Sequence, residues 1–138
     1  MAKSVLIDSG PIVAALRMRD QHHRWARAHF EAAVEPFVTC EAVISECLFL
    51  LERARTGKEA LCGLIERGII VVDFSFAAQL ADTLHLIRRY HDTPMSFADA
   101  CLVRMAEKIT HAVIFTTDSD FRTYRKNGRQ VIPVIMPE

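Results

Sequence analysis

Short unbroken apolar runs alternate with longer helix-length stretches along the chain, and that alternation constrains the fold most. Ser4–Ile7, Phe37–Thr39, Ile69–Val72, Ala112–Thr116 and Val131–Ile135 are rich in β-branched residues and too short for stable helices. Strands that are apolar on both faces belong in a parallel sheet covered by helices on both sides. The expected fold is therefore α/β: a three-layer α/β/α arrangement around a central, mostly parallel five-stranded sheet. At 138 residues the chain is long enough for a substantial core. With no repeat, linker or low-complexity segment, residues 1–138 are expected to form one domain.

The intervening segments carry helix signals. Pro11 suits a first turn and predicts a helix bearing Ile12, Val13 and Leu16. A second helix is expected from Asp20 to Val34, with Trp25, Ala28 and Phe30 facing inward. Glu41–Arg55 reads as a third, broken by Thr56 and Gly57. Lys58–Arg67 follows, closed by Gly68. Ser75 and Ser96 each stand where they can cap a helix, running to Tyr90 and Ile109 respectively. Asp120–Lys126 predicts a short helix and Asn127-Gly128 a turn.

Four carboxylates interrupt the most apolar stretches: Asp8 in VLIDSG, Glu46 in AVISECLFLL, Asp99 in MSFADACLV and Asp118 in AVIFTTDSDF. Ionised Asp and Glu are almost never fully buried unless paired or metal-bound. In open parallel sheets, ligands bind beyond the carboxyl ends of the strands. Asp8 and Asp118 stand just past the first and fourth strands, which are neighbours in a 3-2-1-4-5 order. On its helix Glu46 has Ala42, Val43, Phe49 and Leu50 at three and four residues' distance, which predicts an inward face. Asp99 falls in a first helical turn that can begin at the same edge.

Carboxylates about 4 Å apart repel by roughly 4 kcal/mol per pair at an effective dielectric near 20. Three or four together take up protons or hold a divalent cation. All-oxygen ligation selects Mg²⁺ or Mn²⁺. Such ions orient a phosphodiester and lower the pKa of an attacking water, so the implied chemistry is metal-assisted phosphodiester hydrolysis. Each residue also has a structural alternative. Asp8 suits a turn or cap, Ser96-x-x-Asp99 fits a capping box, and Asp118 can cap the segment after it, where Asp120 suits a first turn. Glu46 alone has no evident structural partner.

The chain resembles the PIN-domain ribonucleases, especially the VapC-type toxins of toxin–antitoxin pairs. The resemblance spans nearly all of it and rests on VLIDSGPIVA, TCEAVISECLFLL, DTPMSFADACLVRMAE and IFTTDSDFRTYR. It implies a Rossmann-like fold, Mg²⁺-dependent RNA cleavage, inhibition by a cognate antitoxin, and a homodimer. It also implies that Asp8 and Asp99 are direct metal ligands, with Glu46 and Asp118 completing the site or positioning water. Asp120 matches a fifth acidic position and Thr116 a hydroxyl position.

Lys plus Arg equals Asp plus Glu at 17 each, so the chain lacks the global positive field of strong nucleic-acid binders and needs a local patch. Arg122, Arg125, Lys126 and Arg129 form the only dense basic run, either a solvated face or an RNA-phosphate contact. Tyr124 and Phe121 are candidates for stacking on bases, Phe121 equally for the core. His22, His23 and His29 read as exposed helix residues. Cys40, Cys47, Cys62 and Cys101 lack zinc spacing and read as small hydrophobes. The apolar run near the start is too short for a signal peptide, and none reaches the roughly 18 residues of a membrane span, so a cytoplasmic protein is expected. An aspartyl phosphatase needs a second Asp where Gly10 stands, and a phosphoacceptor receiver a Lys where Thr116 and Thr117 stand. A non-catalytic RNA- or protein-binding module is the remaining alternative.

Overall fold

The computed structural model describes residues 3–138. In chain order its elements are β1 (Ser4–Ile7), α1 (Ser9–Leu16), α2 (His23–Ala32), β2 (Phe37–Thr39), α3 (Glu41–Leu50) and α4 (Arg55–Glu66). They continue with β3 (Ile70–Val72), α5 (Leu80–Arg89), α6 (Phe97–Lys108) and β4 (Ala112–Phe115). A 3-10 turn (Ser119–Arg122) leads to β5 (Arg125–Lys126), β6 (Gln130–Val131) and β7 (Val134–Ile135).

Five strands form one sheet in the order β3-β2-β1-β4-β7, every neighbouring pair parallel. The chain steps outward from β1 to β3, then α5 and α6 carry it back to β4 beside β1. Right-handed crossovers in the two directions cover both faces. Leu6, Ile7, Ile114 and Phe115 are fully buried at the centre, each apolar side chain contributing about 1.5–3 kcal/mol. An aromatic cluster of Trp25, Phe30, Phe37 and Phe115 seals α2 onto the sheet.

Several local expectations are corrected. The second helix starts at His23, because Asp20 Oδ1 takes the backbone N–H of His22 at 2.8 Å and holds a turn there. Ala26, not Ala28, points inward. The third helix ends at Leu50, and Thr56 and Gly57 lie inside α4. Ser75 accepts from Ala78 N and caps only a turn, so α5 begins at Leu80. The expected helix 120–126 is a 3-10 turn followed by a strand. Asn127 (φ 51°) and Gly128 (φ 87°) form the tight turn of a β5–β6 hairpin, and that hairpin needs extended chain on either side. The expected strand 131–135 is split, because Pro133 has no N–H to donate. Only Val134 and Ile135 pair with β4.

His22, His23 and His29 are half-buried rather than exposed. His23 Nδ1 lies 2.7 Å from Ala14 O, and His29 packs on Trp25 and Phe115. Cys40, Cys47 and Cys101 are buried free thiols, whereas Cys62 is exposed. Among the described residues no helix is long and apolar enough to cross a membrane.

Candidate active site

The register of the two central strands builds the site. Ile7 pairs with Phe115, so Asp8 and Thr116 emerge side by side at the carboxyl edge of the sheet. Asp8 N donates to Phe115 O at 3.0 Å, continuing the ladder one step. Thr116 Oγ1 donates to Asp8 Oδ2 at 2.7 Å, and Ser9 N donates to Asp8 Oδ1 at 2.8 Å. Asp8 is thus both the N-cap of α1 and a buried acid, only 5% exposed. Thr116 Oγ1 also accepts from Asp118 N at 3.0 Å, so one hydroxyl links Asp8 to the loop carrying Asp118.

Asp99 arrives from α6, which packs against β1, β4 and α3. The Ser96–Asp99 capping box is present, with Ser96 N donating to Asp99 Oδ2 at 3.2 Å and Asp99 N donating to Ser96 Oγ at 3.0 Å. Capping does not consume Asp99, because Oδ2 takes the bond from Ser96 N and Oδ1 stays free of it. Asp99 is 6% exposed.

Glu46 is half-buried on α3, and its inward neighbours are Val43 and Cys47. Phe49 and Leu50 are exposed, so the apolar face expected around Glu46 is rotated away from them. The side chain does find a partner: Ser9 Oγ donates to Glu46 Oε1 at 3.0 Å. Asp118 accepts from Asp120 N at 2.9 Å and caps the 3-10 turn. Asp120 lies further out, half-buried in that turn.

Electrostatics ties these groups together. Burial, opposed by the bonds from Thr116 and Ser9 and reinforced by Asp99 and Glu46, pushes Asp8 up to about 6. Burial, with a contribution from Asp118, also raises Asp99. Desolvation and Asp118 raise Asp120. The three raised carboxyls mark a site short of positive charge. Among the described residues, no three or more His, Cys, Asp or Glu side chains are gathered closely enough to hold an ion as they stand. Each carboxylate instead leans on its own donor, the arrangement mutual repulsion favours. The donor set still fits a hard, oxygen-seeking cation: Mg²⁺ keeps several waters and binds through one or two carboxylates.

With this geometry in place, comparison with known proteins assigns the family. The sequence profile of the PIN domain matches residues 5–127. The chain belongs to the PIN domain family. A search of curated proteins finds no match. Among solved structures, the crystal structure of Mycobacterium tuberculosis VapC20, a sarcin-ricin loop cleaving toxin, is similar with a TM-score of 0.77. It shares 20% sequence identity, over 87% of this chain and 94% of that one. At that identity the likeness establishes the fold.

This PIN domain has supports that sequence reasoning missed. Tyr124 is fully buried, and its hydroxyl donates to Asp99 Oδ2 at 3.0 Å, so it cannot stack on a base. Its ring packs on Tyr90 and Phe121. Ser9 holds Glu46, and its place beside Asp8 was the only available signal. Arg125 Nη1 donates to the carbonyls of Arg122, Thr123 and Tyr124, so this cation closes the 3-10 turn. Arg122 and Arg129 remain exposed and Lys126 half-exposed. Tyr124→Phe keeps the ring packing and removes only the bond to Asp99. It is expected to weaken Mn²⁺ binding about 10–100-fold by calorimetry, with the fold intact by circular dichroism. Unchanged affinity would reduce Tyr124 to packing.

Proposed function

We propose that this PIN domain is a Mg²⁺- or Mn²⁺-dependent endoribonuclease, the toxin of a toxin–antitoxin pair. The observation that carries the reading is the pair of buried carboxylates, Asp8 at the carboxyl end of β1 and Asp99 in the first turn of α6, with Asp99 and Glu46 both raising Asp8. Buried acids with raised proton affinity, gathered at one sheet edge, are a recurrent mark of catalytic centres. VapC20 supplies the substrate class by analogy, since it cleaves the RNA sarcin-ricin loop.

Asp8 and Asp99 are the residues that would hold the ion, each with one oxygen fixed by a hydroxyl donor. A divalent cation held there would supply charge neutralisation at the phosphodiester and a lowered pKa for an attacking water. Glu46 and Asp118 position the attacking water, Thr116 fixes Asp8, and Asp120 extends the acidic rim. In the hydrolysis this arrangement would support, a water oxygen bonds to phosphorus as one P–O ester bond breaks, a site carboxylate takes the water's proton and the departing ribose oxygen takes one up. Arg122, Lys126 and Arg129 remain candidates for contacting RNA phosphate. The family analogy also proposes an antitoxin partner, a homodimer and a cytoplasmic location, with residues 1–138 acting as one domain.

The looseness of the carboxylate cluster favours one second reading, a non-catalytic RNA- or protein-binding module. Incubating the purified protein with end-labelled ribosomal RNA separates the two. Discrete fragments in Mg²⁺ or Mn²⁺, abolished by EDTA, are expected. Intact RNA under all conditions favours the binding module.

A further inference from the structure

Arg17 and His22 line a cleft of about 310 Å³ whose lining also includes chain neighbours of Asp8 and Asp118. Its near wall is formed by Gly10, Thr117 and Leu50. Each neighbours a site acid: Gly10 lies two residues past Asp8, Thr117 precedes Asp118, and Leu50 lies one helical turn beyond Glu46 on α3. Gly10 approaches Thr117 so closely that a Cβ at Gly10 would overlap the threonine hydroxyl. The segments carrying Asp8 and Asp118 therefore meet at the cleft.

The far wall is polar. It comprises Arg17, Asp20, Gln21 and His22, with Val13 as an apolar floor. Arg17 Nη2 donates to Leu50 O at 2.9 Å, which clamps the end of α1 to the end of α3. A guanidinium has five N–H groups, so further donors remain for an anion. Asp20 holds the turn in place through His22 N. A nucleic-acid strand crossing the site must leave it along a path with cations for flanking phosphates and apolar surface for sugars and bases. The cleft offers Arg17 for a phosphate, on the same wall as Asp20, and Val13 and Leu50 as apolar surface. The hairpin after β4 offers less, because Arg125 faces backbone carbonyls.

We infer that this cleft is the subsite for one nucleotide flanking the scissile phosphodiester, with Arg17 on its phosphate and Leu50 and Val13 against its sugar or base. This rests on the ribonuclease reading and deepens it. The test measures fluorescence anisotropy of a labelled single-stranded RNA of about 12 nucleotides, on the Asp99→Asn background in Mg²⁺ to suppress cleavage. Arg17→Ala is expected to weaken binding about tenfold and to lower the salt slope by about one, while Arg17→Lys retains most of the affinity. Leu50→Trp is the second variant. It fills the cleft from an exposed position and leaves the backbone bond to Arg17 available, and it too is expected to weaken binding about tenfold. RNA bound by the parent with equal affinity and slope in every variant overturns the subsite, leaves the ribonuclease reading standing, and points to a protein occupant. A parent that binds no RNA overturns both.

Discussion

Asp99→Asn is expected to slow metal-dependent RNA cleavage on the order of 10³-fold while the protein stays folded. The separation of effects follows from the two oxygens of the side chain. Oδ2 accepts from Ser96 N and Tyr124 OH, at 3.2 and 3.0 Å. An asparagine can present its one oxygen there, so the capping box and the tyrosine bond survive. Its NH₂ then replaces Oδ1, which would serve the cation, and a neutral donor cannot ligate Mg²⁺. A metal ion at a phosphodiester is worth several kcal/mol, and each tenfold in rate is about 1.36 kcal/mol. Single-turnover cleavage of labelled RNA at saturating Mg²⁺, with circular dichroism as the fold check, measures this. Full activity in the variant removes Asp99 from the chemistry, and unfolding makes it a cap and nothing more.

The second large effect concerns stability without metal. Asp8 is pushed up to about 6 from 3.8, so the folded chain holds its proton more tightly than the unfolded chain. The folded state then binds more protons between these values, and stability must fall as pH rises through that window. Ionising Asp8 costs the fold about 3 kcal/mol at neutral pH, and raised Asp99 contributes with the same sign. Ordinary salt-bridged carboxylates act in the opposite direction. Urea denaturation of the parent and Asp8→Asn, at pH values of about 4 to 7.5 with EDTA, isolates the effect. The stability of the parent relative to the variant should fall by about 2–3 kcal/mol across the series and recover when Mg²⁺ replaces EDTA. A difference that stays flat with pH would mean that Asp8 is solvated and ordinary.

The parallel strands and the edge where the acids gather were legible from strong, local signals, whereas the strand order was only a common one that the sheet then matched. Continuous β-branched runs specify buried parallel strands, and the parallel rule then puts Asp8 and Asp118 on one edge. Contacts that close only in three dimensions were hidden. Nothing near Tyr124 in the chain indicates that its hydroxyl meets Asp99, 25 residues earlier. Glu46 looked unpartnered because Ser9 lies 37 residues away. The face of α3 was misjudged because Phe49 and Leu50 are apolar yet exposed, and periodicity cannot distinguish a surface apolar residue from a core one. The region after Asp120 was misread because the Asn127-Gly128 turn demands extended flanks, which overrode weak local helix preference.

The most direct test of the central claim, that these carboxylates act together as one divalent-cation site, is calorimetric titration with Mn²⁺ near pH 6. The expected result is binding by the parent with release of a proton, since Asp8 is partly protonated there, and its loss in Asp8→Asn. Absence of binding by the parent, or undiminished binding by Asp8→Asn, would contradict the claim.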